Sequence, residues 1–137
     1  MIRVYADMVA DLFHFGHVEF LRQSKMLGDE LVVGVHSDQT VTEYKRPPVM
    51  KMEERIAVVR ACRYVDEVLP DAPLVADEDW LDRHRLDLVV HGDDFDEEDL
   101  LRYYGPARQR GILRLVPYTA GISTTEIIRR LGDAGPS

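Results

Sequence analysis

Cysteine is almost missing from this chain, with Cys62 alone among 137 residues. A single thiol allows no internal disulfide and no cysteine-based zinc cluster. Long apolar runs are missing too, so no segment reads as membrane-spanning, and the opening MIRVYADM lacks the apolar stretch of a secretory leader. Positive charge is in deficit. Seventeen Lys and Arg face 25 Asp and Glu, a net charge of -8, which argues against nucleic acid as a partner. Internal repeats and interior linkers are also absent. Together these gaps predict a cytoplasmic protein with no membrane contact.

What is present reads as one globular domain. The chain is long enough to bury a core, with 45% apolar and 31% charged residues. Basic residues gather locally: Lys45, Arg46, Lys51, Arg55, Arg60 and Arg63 share one short segment, whereas acids collect from Asp93 to Asp99. Local charge of this kind suits a small anionic ligand despite the overall sign.

Apolar runs alternate with amphipathic ones along the whole length. Residues 2–6, 30–36, 66–70, 87–91 and 112–117 read as strands. Helical patterns fall at 17–27, 39–44, 52–61, 78–84, 97–110 and 124–131, with Gly28 placed to cap the first of them. Apolar strands separated by helices imply an α/β fold, a parallel sheet covered on both faces. Such sheets bind ligands beyond the carboxyl ends of their strands. The chemically distinctive stretches follow the strands: DMVADLFHFGH the first, HSDQ the second, HGDD the fourth and YTAGISTT the fifth. The closing GDAGPS, residues 132–137, is small and helix-breaking, and reads as a tail or the start of a linker.

In DLFHFGH, His14 and His17 share the first turn of a helix, where unpaired N–H groups and the positive end of the dipole also lie. With Gly16 letting a ligand approach the backbone, this is a phosphate cradle. Zinc is disfavoured because Asp11 is the only near third ligand, so no metal site is expected. Two merely structural histidines stay open as a plainer reading. In GISTT, Ser123 and Glu126 have the spacing of a capping box, and Thr124 and Thr125 add hydroxyls to that helix start. Tyr103, Tyr104 and Trp80 read as core or its edge, and His36 and His91 as partly buried histidines.

His14-Phe15-Gly16-His17 after a first strand resembles the nucleotidylyltransferase signature. RYVDEV (residues 63–68) and GISTT (121–125) resemble the second and third signatures of the cytidylyltransferases. YKRPPV, EER and HGDD are similar to the same family in order and spacing. The resemblance implies a Rossmann-like, doubly wound five-stranded sheet of order 3-2-1-4-5. It implies CMP transfer from CTP to a phosphate-bearing acceptor with release of pyrophosphate. His14, His17 and Lys45 would be catalytic. Val9, Ala10, Gly16, Asp94, Tyr118, Gly121, Ile122, Ser123, Thr124 and Thr125 would hold the nucleotide, and Asp11, Arg55 and Arg63 the acceptor or other phosphates. Mg²⁺ is expected with the triphosphate, and a homodimer is implied with residues 64–68 near its interface.

Two stretches depart from the phospholipid enzymes of that family. Met8-Val9-Ala10-Asp11 stands where they have Gly-x-Phe-Asp, and Tyr118-Thr119-Ala120-Gly121 where they have Arg-Thr-Glu-Gly. Both departures resemble cytidylyltransferase domains associated with or fused to phosphoenolpyruvate phosphomutase. That implies a small phosphonate acceptor such as 2-hydroxyethylphosphonate. Ethanolamine phosphate or glycerol 3-phosphate is the alternative acceptor. An ATP-using adenylyltransferase and an inactive scaffold domain are the rival functions.

Overall fold

The computed structural model describes residues 1–134. Five strands, β1 (Arg3–Met8), β2 (Glu30–His36), β3 (Glu67–Ala72), β4 (Leu88–Gly92) and β5 (Leu113–Val116), form one parallel sheet of order β3-β2-β1-β4-β5. Six helices connect or follow them: α1 (Phe15–Lys25), α2 (Asp38–Tyr44), α3 (Met52–Arg60), α4 (Glu78–Arg83), α5 (Glu97–Gln109) and α6 (Thr124–Ala134). The expected order and both-face coverage hold.

Side-chain alternation divides the core between the two faces. On one, Val4, Ala6, Leu31, Val33 and Val35 pack against Leu21 of α1 and Val59 of α3. On the other, Tyr5, Val32 and Val89 pack against Leu81 of α4 and Leu100, Tyr104 and Ala107 of α5. Burying both faces explains why the strands read as nearly continuous apolar runs.

The pairing of β1 with β4 positions the site. Register holds only for Val4 with Leu88 and Tyr5 with Val89. Past that point the two strands part, β1 continuing to Met8 and β4 to Gly92. The gap they leave is the reversal point of strand order, where an open α/β sheet offers a crevice.

Two helix C-terminal ends differ from expectation by more than one residue. Helix α1 stops at Lys25, and Gly28 lies beyond the cap residue Met26 with no positive φ. A Cβ on Gly28 would stand 2.6 Å from Val4 Cγ2, so close approach to β1 is what requires glycine there. Helix α6 continues through Gly132, Asp133 and Ala134 instead of ending at Leu131. The rest of the expected tail, residues 135–137, lies outside the described residues.

Candidate active site

A cleft of about 840 Å³ opens over the carboxyl ends of β1 and β4, in the range typical of small-ligand sites. Its walls include Val9, Ala10, Asp11, His14, Gly16, His17, Lys45, Asp94, Tyr118, Ile122, Ser123, Thr124 and Thr125. The sequence-predicted site therefore converges, with three exceptions taken up below.

Helix α1 begins on a cap made by its own histidines. His14 Nδ1 accepts the Gly16 N–H at 3.0 Å, and His17 Nδ1 accepts the His14 N–H at 3.1 Å. A nitrogen that accepts carries no proton, so each neutral ring must hold its hydrogen on Nε2. Both tautomers are thus set by the fold, and both rings are N–H donors. Phe13 stacks on His17 with ring centroids 5.2 Å apart. Burial pushes the His17 imidazole down to about 3, helped by the neighbouring His14 and opposed by Asp11. Burial likewise lowers His14. A Cβ on Gly16 would lie 2.8 Å from His14 Cε1, so this glycine makes room for the His14 ring.

The start of α6 lies against the same turn. Ser123 Oγ accepts the Glu126 N–H at 3.0 Å, and Thr124 Oγ1 donates to the Asp11 carbonyl at 2.8 Å. Only half of the expected capping box forms, because the Glu126 carboxylate pairs with Arg129 and Arg130. Gly121 does not line the cleft; its φ of +87° makes the turn into the helix. The cleft thus has two adjacent helix N-termini on one side, each offering N–H groups.

Asp11 and Arg55 are frame, not acceptor contacts. Asp11 is buried, and its carboxylate accepts the N–H groups of Val49 and Met50 at 2.8 and 2.9 Å, with Arg46 Nη1 3.4 Å away. Burial works against the charge, yet these donors outweigh it and hold the carboxyl below its usual range. Arg55 is wholly buried. It donates to Met50 O, Val9 O and His36 O and pairs with Asp38. One guanidinium thereby ties together the loops after β1 and β2 and the turn before α3. A buried cation is tolerated only when so fully partnered. The loop it holds contains Ala10 and Leu12 at φ of 60° and 51°, a left-handed conformation that costs non-glycine residues energy.

Arg63 is not brought to the cleft. It is exposed in the turn entering β3. Parallel strands put that turn at the amino edge of the sheet, about 20 Å from the carboxyl edge for a six-residue strand.

Lys45 ends α2 at the mouth of the cleft, where desolvation and Arg46 lower its ammonium against the pull of Asp94. That position is compatible with the cation that the family resemblance implies there.

The α5 side of the cleft was not anticipated. Asp7, a buried acid inside β1, accepts the Tyr104 hydroxyl at 2.8 Å and lies 3.3 Å from His36 Nε2. His36 Nδ1 donates to Ala72 O at 3.1 Å, and Tyr104 Oη is 2.9 Å from His91 Nδ1. Tyr104 reaches this chain because α5 kinks there, at φ -131° and ψ 20°, two residues before Pro106. With Tyr44, Phe95 and Tyr103 this side is aromatic and, through Asp7, Asp94 and Asp99, acidic. One signal was available: Asp7 sits in an apolar strand, and a buried acid needs partners.

Among the described residues no three His, Cys, Asp or Glu side chains converge as a metal set, and no helix is long and apolar enough to cross a membrane.

Comparison with known proteins agrees with this geometry. The chain is 45% identical over 134 residues to an ethanolamine-phosphate cytidylyltransferase of Dictyostelium discoideum, covering 95% of this chain and 36% of that protein. It is 46% identical over 130 residues to a probable ethanolamine-phosphate cytidylyltransferase of Encephalitozoon cuniculi, covering 94% and 40%. The chain thus spans well under half the length of these relatives. A lipopolysaccharide core biosynthesis protein of Thermoplasma volcanium shares the fold with a TM-score of 0.70 at 30% identity, over 89% of this chain and 99% of that one. The cytidylyltransferase-like family model matches residues 6–130, and the chain belongs to that family.

Proposed function

We propose that the chain transfers CMP from CTP to a small amino-alcohol phosphate, ethanolamine phosphate in the first instance, releasing pyrophosphate. The observation that carries the reaction class is the pair of adjacent helix N-termini at the strand-order reversal. One is armed with two Nε2–H histidines and the other with Ser123, Thr124 and Thr125.

A phosphate monoester is mostly ionised near neutral pH, so the acceptor oxygen needs no strong base. It attacks the α-phosphorus; the new P–O bond forms as the bond to the bridging oxygen of pyrophosphate breaks. The protein's work is alignment and the neutralisation of charge on the phosphoryl oxygens. His14 and His17 donate Nε2–H bonds to those oxygens, the helix N-termini add backbone N–H groups, and Lys45 closes from the cleft mouth. A divalent cation such as Mg²⁺ neutralises triphosphate oxygens when bound. The donor set here is N–H and O–H rather than carboxylate, which fits a cation that arrives held by the phosphates themselves.

For the acceptor, the relatives favour the ethanolamine-phosphate alternative over the phosphonate expected from the Met8–Asp11 and Tyr118–Gly121 stretches. The acidic and aromatic α5 side of the cleft also suits an ammonium group. Pyrophosphate release with CTP tests the reading against ethanolamine phosphate, 2-hydroxyethylphosphonate and glycerol 3-phosphate, with ATP as rival nucleotide. Turnover with CTP and ethanolamine phosphate is expected. A preference for 2-hydroxyethylphosphonate, or for ATP, overturns it.

A further inference from the structure

The cleft is short of positive charge. Among its described walls the carboxylates of Asp7, Asp11, Asp94 and Asp99 face only two permanent cations, Lys45 and Arg46. The turn into α6, residues 117–125, holds no Lys or Arg. Tyr118 stands there where the phospholipid enzymes have Arg, so that lip offers N–H groups and hydroxyls but no charge. A nucleoside triphosphate brings about four negative charges near neutral pH. Lys45 meets part of that charge, and Arg46 is the other cation within reach.

Arg46 is loosely held. Its Nη1 stands 3.4 Å from Asp11 Oδ2 and 3.3 Å from the Pro47 carbonyl, both longer than the roughly 2.7–2.9 Å of a well-formed charged bond. Asp11 does not depend on it, because the same carboxylate takes the Val49 and Met50 N–H groups at 2.8 and 2.9 Å. The Arg46 side chain is 43% exposed, and an ion pair so open to water contributes little. The stem is stiffer than the head. Pro47 and Pro48 follow it, and the residue before a proline is held extended.

Asp11 also fixes where the fork lies. Its carbonyl accepts the Thr124 hydroxyl at 2.8 Å, so Arg46 rests on the residue that abuts the uncharged α6 N-terminus. Beside it, desolvation first and then Arg46 lower the Lys45 ammonium, and a polyanion between the two cations relieves that repulsion. A planar guanidinium can bond two phosphoryl oxygens at once, where an ammonium acts as a point charge.

We propose that Arg46 leaves Asp11 and clamps the terminal phosphates of the nucleoside triphosphate, the part that departs as pyrophosphate, against the α6 N-terminus. The inference rests on the nucleotidyl-transfer reading above for the triphosphate, but not for the base or the acceptor.

Calorimetric affinities for CTP and CMP with Mg²⁺, in the wild-type chain and in Arg46→Ala and Arg46→Lys, test this. Arg46→Ala is expected to weaken CTP by about ten- to a hundredfold, the range of hydrogen bonds to a charged group, and CMP by less than about threefold. Inorganic pyrophosphate, as a product inhibitor, is expected to weaken by the same factor as CTP. Arg46→Lys should recover only part of the loss, since it restores the charge without the fork. Tm is expected to hold, because Asp11 keeps its two backbone donors. Equal losses for CTP and CMP, or none, overturn the inference and leave the proposed function standing. So does a rise in KM for ethanolamine phosphate with CTP affinity unchanged, which assigns Arg46 to the acceptor. If ATP against AMP shows the pattern and CTP does not bind, the proposed function falls and the inference stands. A fall in Tm with every ligand weakened alike makes Arg46 part of the frame and overturns it. A wild-type chain that binds neither triphosphate overturns it as well.

Discussion

The rings of His14 and His17 lie 4.0 Å apart by centroids, tilted by 44°, so a charge on either raises the cost of a charge on the other. His17 is held down to about 3, first by burial and then by His14, against about 6.5 in an unfolded chain. Above 6.5 neither state binds a proton there, and this group contributes no pH dependence. Between 6.5 and 3 the unfolded chain takes up a proton that the folded one refuses. Stability is therefore lost as pH falls through that window, by up to about 1.4 kcal/mol per pH unit from this group. Urea midpoints should drop between pH 7 and pH 5. A flat profile would mean that the folded ring accepts the proton.

Removing either Nε2–H donor should lower kcat far more than affinity, because developing charge on the phosphoryl oxygens is where such donors act. His17→Ala is expected to reduce kcat by about 10²–10³-fold. CTP affinity, read by calorimetry, should fall much less. Equal losses in both would make His17 a binding residue only.

Arg55→Met is expected to destabilise by about 3–5 kcal/mol, the range for breaking a buried charged network. It leaves the carbonyls of Val9, His36 and Met50 without their donor. Arg55→Lys should recover little, since one ammonium cannot span four oxygens fixed by a planar fork. Urea unfolding at pH 7 reads both. Loss of activity without loss of stability would return Arg55 to the role of a phosphate ligand.

Gly16→Ala should leave the fold in place and displace the His14 ring, which its Cβ would meet at 2.8 Å. The expected result is a strong loss of turnover with a small change in Tm. Unchanged turnover would show that the ring moves aside without leaving its productive position.

Much of this was legible along the chain. The strand at 30–36 and the helix starts at Met52, Glu78, Glu97 and Thr124 coincide with their expected positions, because hydrophobic period and caps are local signals. His14, His17 and the hydroxyls of α6 were legible for a related reason: they cluster after strands, where a parallel sheet places its ligands, whereas Lys45 was legible only through the family resemblance. Arg55 and Asp11 were legible as important but not as frame. Sequence shows a charge near a motif; only packing shows that its partners are backbone carbonyls and N–H groups. The Asp7–Tyr104 bond joins residues 97 positions apart, and no periodicity or motif connects them. His91 looked ordinary because its partner, Tyr104, belongs to α5.

The left-handed Ala10 and Leu12 carry one more consequence. The segment they bend is secured from outside, by Arg55 from α3 and Thr124 from α6. Its left-handed bends are therefore held only while those distant elements stay docked. Amide hydrogens of residues 9–12 should exchange with solvent well before those of β1, through local opening rather than global unfolding. The order of this loop is then a readout of the whole carboxyl edge.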